Sequence, residues 1–372
     1  MMYRYSSSVA RAVTAAMAFS CAAWSATTLH VSAQKGPAGN GTKDEPFRTL
    51  IQARNAIRQL KTTDGLPDGG ITVLLHKGAH RLLEPLDLTE ADSGAGTAPV
   101  IYKAVPEEDV WLSGGVPVRL ERFRTPADAA RLQRLPEAAR QHVRVFDLAN
   151  LGAELSIAPW PDAWMQFGSQ KPTMLPSVCE VYCGAQRLPM ARWPNQGYAT
   201  FGEIVSGGPG DTEGPHVVTY KEENPSRWSL EDGVWLYGYW YRAYRAEMIR
   251  VRMIDTAKKT IELAGENTLR WLEDKGAKRY RAMHVLEELD SPGEWYLDSR
   301  RRQLYLWPPR EAGAGTEVVV AVNAEALVRG REVSHVEFHG LGLEHCRGAG
   351  IDVQGGEAVR FVACEVRNVG TT

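Results

Sequence analysis

Cysteine is scarce in this chain, five in 372 residues. No C-x-x-C pair and no nearby histidine pair accompanies any of them, which argues against a zinc site, and a chain this long is no disulfide-stapled miniprotein. Excess charge of one sign is missing too. Lys+Arg 43 against Asp+Glu 45 leaves −2, so no global field steers DNA or an anionic membrane toward the protein. Lys258-Lys259 and Arg300-Arg301-Arg302 read as hairpin charges, and nucleic-acid binding is not expected. No apolar run reaches the ~20 residues of a membrane span. His80, His216, His284, His335, His339 and His345 are scattered without metal-ligand spacing, and no metal or cofactor is expected. Gly207-Gly208-Pro209-Gly210 lacks a following Gly-Lys-Ser/Thr, which removes a phosphate loop. With 44% hydrophobic and 24% charged residues the composition suits neither disorder nor a multi-span membrane protein. What is plentiful is glycine, 35, and tryptophan, 11: many turns and many large flat surfaces.

Arg4 and Arg11 precede the short apolar stretch Ala12 to Trp24, and Ala23-Trp24-Ser25 offers small residues for cleavage. Residues 1–25 are expected to be a secretory signal peptide, with a lipoprotein reading of Cys21 as the alternative. The expected location is secreted or periplasmic, where disulfides form. Cys179, Cys183, Cys346 and Cys364 are read as buried thiols, one bridge remaining open.

Thr49 and Gln52 make a capping box, and Leu50, Ala53, Ile57 and Leu60 repeat at helical spacing to about Lys61. Short strands and turns follow, at Ile71 to Leu75, around Leu82, Leu86 and Leu88, at Val100 and Tyr102, and at Val110 and Leu112 before Gly114-Gly115. Near the C-terminus Val336, Phe338, Leu341 and Leu343 are echoed twenty-three residues later by Val359, Phe361, Cys364 and Val366. Between the copies lies a strand at Ile351 and Val353, flanked by Gly348, Gly350, Gly355 and Gly356. A fixed period with several alternating strands per repeat, glycines at the corners and no helix predicts a parallel β-helix. The leucine-rich repeat frame is absent.

The middle of the chain differs. Thr125-Pro126 opens a helical stretch to about Leu135, and Pro136 restarts a shorter one, together read as a connector rather than core. Seven short strands follow at irregular spacing, Glu180 to Tyr182, Val217 to Tyr220, Val234 to Tyr239, Met248 to Ile254, Thr260 to Leu263, Glu294 to Leu297 and Gln303 to Leu306. They predict an antiparallel sandwich, and most of the Trp and Tyr residues fall there. The expected fold is all-β, with four parts: 1–25 signal peptide, 26–118 helical cap and first β-helix coils, 119–315 connector and inserted β-sandwich, and 316–372 resumed, incomplete coils.

The chain resembles the secreted parallel β-helix proteins grouped with glycoside hydrolase families one hundred and forty-one and one hundred and twenty. The resemblance rests on Gly41-Thr42 with Pro46-Phe47-Arg48-Thr49-Leu50, on Ser113-Gly114-Gly115 and on Arg134-Leu135-Pro136-Glu137-Ala138-Ala139-Arg140. Ala191-Arg192-Trp193-Pro194-Asn195, Gly238-Tyr239-Trp240 and the run Leu286 to Leu297 carry it through the insertion. It implies a right-handed β-helix, an N-terminal helical cap, an inserted β-sandwich and hydrolysis of plant or microbial polysaccharide. Relatives run on through further coils, whereas this sequence stops at Thr372 midway through a rung, so it is expected to be an N-terminal fragment with its catalytic carboxylate pair farther on.

Glycoside hydrolysis needs two facing carboxyl groups. Asp352, outward if Ile351 and Val353 are inward, is the one candidate offered, against a solvated Asp beside a turn. Asp290, Glu294 and Asp298 surround Pro292-Gly293 and are read as turn residues. Trp193, Asn195, Trp240, Tyr241 and Arg242 form a candidate sugar-binding rim, with the sandwich core as the other reading for the two tryptophans. The expected partner is a polysaccharide or oligosaccharide. A polysaccharide lyase and a non-catalytic glycan-binding or adhesion solenoid are the alternatives.

Overall fold

The computed structural model describes residues 27–33, 39–152, 163–165, 179–208, 211, 214–239, 246–264, 278–313 and 315–371. The expected leader, 1–25, and the candidate residues Trp240, Tyr241 and Arg242 lie outside them. The described chain is mostly strand, with two α-helices and a few single 3-10 turns.

The first helix, α1, spans Leu50–Thr63, two residues beyond the expected end. Its capping box forms as expected, Gln52 N donating to Thr49 Oγ1 at 3.1 Å and Thr49 N to Gln52 Oε1 at 3.2 Å. Leu50, Ala53 and Ile57 turn into a core shared with Val31, Val73, Tyr102 and Phe338. Its last turn is tied down by Lys61, whose Nζ donates to the carbonyls of Ala91 and Ser93 at 2.7 and 2.6 Å.

Strands Thr27–Val31, Ile71–Leu75, Val100–Ala104, Val336–His339 and Arg360–Val362 pair in parallel into one sheet. Gly78–Arg81, Val110–Ser113, Gly342–Glu344 and Glu365–Val366 form a second, and Leu86–Leu88, Val328–Arg331 and Ile351–Gln354 a third. Cys346–Ala349 pairs in parallel with Val369–Thr371. The chain visits the sheets in rotation, so each circuit lays one strand beside its predecessor. Leu29, Val73, Tyr102, Phe338 and Phe361 therefore stand in one register row. Strands repeat about every 4.8 Å, the stacking distance of aromatic rings. Tyr102 and Phe338 accordingly stack at 5.1 Å, and Phe338 and Phe361 at 4.8 Å.

The corners obey the same period. Left-handed backbone recurs at Glu332 and Gly355, His335 and Ala358, Gly340 and Ala363, and His345 and Asn368, each pair twenty-three residues apart. The expectation of glycine corners holds for Gly355 and Gly356 and not for Gly348 and Gly350, which lack positive φ. Gly348 serves close approach instead, since a Cβ there would lie 2.4 Å from the Glu325 carbonyl oxygen.

The chain leaves this stack at Gly114 and rejoins it at Val322 and Asn323, whose amides both donate to the Gly114 carbonyl at 3.0 and 2.9 Å. Asp87 and Arg329 thus become neighbours across a sequence separation of 242. The intervening block is antiparallel. Gly115–Arg119, Glu317–Ala321, Glu180–Cys183 and Gln186–Arg187 make a four-stranded sheet, and Arg144–Asp147, Gln303–Leu306 and Trp295–Asp298 a three-stranded one. Val118, Val181 and Val320 from the first share one hydrophobic cluster with Phe146, Leu297 and Leu304 from the second. A nine-stranded sheet, centred on Trp235–Tyr239, Glu247–Asp255 and Arg279–Met283, encloses its own cluster. The seven expected strands are all present, displaced by at most about one residue at either end.

The connector reading needs correction. Helix α2 spans Ala129–Arg134 and starts at Asp128, not at Thr125-Pro126, because the Asp128 carboxylate accepts from the Ala130 and Arg131 amides. The segment is also core: Leu135, Ala139 and Val143 are buried with Leu286, Leu289 and Tyr296. All four cysteines are free thiols. Cys179 and Cys346 are buried, and burial pushes them up to about 12 and about 11; Cys183 and Cys364 are only half-buried. No described helix is long and apolar enough to cross a membrane.

Candidate functional site

Trp193 lies in the two-residue strand Arg192–Trp193, which pairs with Met283 and Ala282. Its ring meets Trp228 edge-on at 6.0 Å and Tyr280 at 6.3 Å, half-buried against the nine-stranded cluster. Asn195, just beyond the cis Trp193-Pro194 bond, donates through Nδ2 to Asp290 Oδ1 at 2.7 Å and Ser291 Oγ at 2.8 Å. Both side chains are half-buried and engaged with other segments of the protein, and Asn195 joins the strand to the Asp290 turn.

Asp352 stands on the outer side of Ile351–Gln354, level with Arg329 on the neighbouring strand and Asp87 on the strand beyond it. Arg331 Nη2 donates to its Oδ2 at 2.6 Å, and Gln354 Nε2 to its Oδ1 at 3.2 Å. Arg331 chiefly, with help from Gln354, holds its carboxyl below the usual range against the opposing effect of burial. Asp87 takes the Arg329 fork at 3.0 and 3.1 Å and is likewise held low. These two carboxylates are ionised members of a charge ladder, so neither is a proton donor near neutral pH.

Carboxyls held above the usual range occur elsewhere. Glu294, 2% exposed, is pushed up to about 8, chiefly by burial, while Oε2 accepts from the Asp290 and Ser291 amides. Burial also raises Glu288, whose Oε1 accepts from Trp228 Nε1, Asn224 Nδ2 and Arg227 Nη2. Asp298 and Asp232 flank the buried Arg131 guanidinium at 2.8 Å each, and Tyr296 donates to Asp232 at 2.7 Å. Of the three acids read as turn residues, Asp290 is exposed, Glu294 caps the turn from inside and Asp298 balances Arg131.

The open surface lies elsewhere too. A cleft of about 790 Å³ runs beside Trp307, with Phe123, His142, Arg144, Pro308 and Arg310 among its walls. His142 stacks on Trp307 at 4.9 Å with the rings 10° apart. A smaller hollow of about 490 Å³ is bounded by Arg134, Arg140, Arg227 and Glu287. Sequence reasoning passed over Trp307 and His142; the signal was a tryptophan followed by Pro308-Pro309, which carries a strand end out into solvent. No described group of three or more His, Cys, Asp or Glu side chains is arranged to hold a metal ion.

No protein-family profile matches the chain, and no curated protein matches it. Two solved structures match the chain. One, described as a glycoside hydrolase, superposes with a TM-score of 0.64 at 21% identity over 86% of this chain. The second, a complex of XylC with xylose, has a TM-score of 0.38 at 12% identity, covering 87% of this chain and 36% of its own. This chain spans about half, 51%, of the length of the glycoside hydrolase structure it matches. The protein thus has a mostly-β, glycoside hydrolase-like fold.

Proposed function

We propose that this protein is a carbohydrate-active enzyme of the glycoside hydrolase type, exported from the cytoplasm and acting on plant or microbial polysaccharide. The observation that carries the reading is the likeness to a glycoside hydrolase structure across 86% of the chain. We read the three-sheet parallel stack as a right-handed β-helix capped by α1, with the block from Gly115 to Val322 as its insertion. The leader pattern supports export.

Hydrolysis at a sugar carbon needs one carboxylic acid to protonate the leaving oxygen and one carboxylate opposite, ~5–5.5 Å or ~6.5–9.5 Å away. Asp87 and Asp352 are claimed by arginines, and Glu294 is sealed in a turn. We therefore assign the catalytic pair to none of these three residues. The described surface contributes binding: the Trp307 face and His142 present flat rings in an open cleft, the chemistry that packs against a sugar's C–H face.

The test is incubation of the purified protein with xylans, pectins and fucosylated oligosaccharides, followed by assay of new reducing ends. Release from any of them supports the proposal. Products absorbing in the ultraviolet and lost with chelator would replace it with a lyase, and glycan binding without products would replace it with an adhesion solenoid.

A further inference from the structure

Arg192, Arg279 and Arg281 gather on one side of the nine-stranded sheet. Along Arg279–Met283 the alternation buries Tyr280 and Ala282 and leaves Arg279 and Arg281 half-buried on the opposite face. The register sets Tyr237 beside Arg281 and Tyr239 beside Arg279, and Tyr198 precedes Ala199, the partner of Tyr280 on the other flank. The Arg279 guanidinium carbon lies 4.4 Å from the Tyr239 ring centre and 5.3 Å from that of Tyr198, and Arg281 lies 5.0 Å from Tyr198. Tyr239 meets Tyr198 edge-on at 5.7 Å and Tyr237 at 6.3 Å.

This grouping lacks what other arginines of the protein have. Arg58, Arg131, Arg134, Arg329, Arg331 and Arg367 each hold a carboxylate within 3.0 Å. Among the described residues Arg192, Arg279 and Arg281 form no ion pair. Arg281 gives Nε and Nη2 to the Gly197 carbonyl, Arg192 gives Nη2 to the Asn195 carbonyl, and the Nε atoms of Arg192 and Arg279 are buried without a partner. Burial and the nearness of Arg281 together lower the Arg192 pKa. Three cations on one half-buried face repel one another, and an anion placed among them removes that repulsion. Stacking against tyrosine rings also fixes the forks in advance, which lowers the entropy lost on binding.

We propose that this face binds a uronic acid residue of an acidic glycan, its carboxylate received by Arg279 and Arg281 and its ring lying against Tyr198 and Tyr239. A planar guanidinium matches a carboxylate in bidentate fashion, and tyrosine supplies an apolar face with a hydroxyl at its tip, which together suit a sugar carrying an acid. The inference rests on the carbohydrate-active reading above and adds the class of sugar.

Binding is measured by titration calorimetry with de-esterified oligogalacturonate, its methyl-esterified counterpart, neutral xylo-oligosaccharide and dextran sulfate. The de-esterified probe is expected to bind at least about tenfold more tightly than the methyl ester. Arg279→Gln and Arg281→Gln are each expected to remove at least about tenfold of that affinity, while Arg252→Gln, an exposed arginine on another strand, leaves it unchanged. Equal affinity for ester and acid, dextran sulfate binding as tightly as the oligogalacturonate, or arginine variants that bind like the parent would each overturn the inference. The ester comparison uses the parent protein alone, so it decides the matter even if a variant fails to fold. Neutral oligosaccharide bound or cleaved without preference for acid sinks this inference and spares the proposed function; no engagement of any glycan sinks both.

Discussion

At Arg131 the protein places a guanidinium with 1% side-chain exposure between Asp232 and Asp298, themselves 1% and 0% exposed. Removing the cation leaves two buried carboxylates facing each other. Arg131→Met is expected to cost about 3–5 kcal/mol in urea unfolding, and a loss under about 1 kcal/mol would show that the network reorganises freely. Glu294 acts through protons instead. Its folded pKa of about 8 lies above the ordinary 4.5, so between these values the folded state holds a proton that the unfolded state has released. Stability should therefore fall as pH rises through that window, and Glu294→Gln should flatten the slope; melting temperatures of both proteins across the window check this. The sequence grouped Asp290, Glu294 and Asp298 as residues of one turn; Asp290 and Glu294 are, whereas Asp298 ends the strand Trp295–Asp298. It held no sign that Asp298 faces an arginine on α2, because that pairing comes from the packing of distant segments.

Local signals were the most legible at the level of elements. The Thr49 and Gln52 pairing depends on four consecutive positions and appears as read; Thr49→Ala is expected to cost about 1 kcal/mol in thermal unfolding. The twenty-three-residue echo was legible because apolar residues recur at matching positions of each circuit, although Val336, Phe338, Leu341 and Leu343 are buried whereas Val359, Phe361 and Cys364 are half-buried and Val366 is exposed. Thr27–Val31 was missed because it adjoins the leader pattern, and Gly78–Arg81 because Gly-Ala-His-Arg carries no apolar alternation. Corners at His335, His345, Ala358 and Asn368 were equally hidden, since none is glycine and only the stacked partner reveals the left-handed turn. The aromatic row gives a further test. Tyr102 is buried in the stack, and its hydroxyl has no hydrogen-bond partner. Tyr102→Phe keeps the ring contacts with Phe338 and is expected to raise stability by about 1–3 kcal/mol. A loss of similar size would mean that the hydroxyl is satisfied by water.

On the scale of the whole molecule, a parallel stack opens at Gly114 and closes at Val322 and Asn323 around an antiparallel block. Tyr182 and Arg187 of that block reach back, donating to the carbonyls of Asn368 and Val369 at 3.0 and 2.8 Å. The change from regular to irregular strand spacing made the insertion visible in the sequence. Its division into three hydrophobic clusters was not visible, because strand order is set by pairing and not by spacing. The candidate site was the least legible part: Trp193 and Asn195 are half-buried and bound to neighbouring segments, and although Arg192 and Tyr239 fall within runs that carry the resemblance, their grouping with Arg279, Arg281 and Tyr198 is set by strand register, which spacing does not reveal. The chemistry proposed for this protein is hydrolysis of a glycosidic bond. Glycan cleavage in water enriched in heavy oxygen, with products read by mass spectrometry, tests it most directly. One heavy oxygen at each new reducing end, none at the new non-reducing end, and no loss of water from the fragments, is the outcome expected; unsaturated fragments without the label, or no fragments from any glycan, would contradict it.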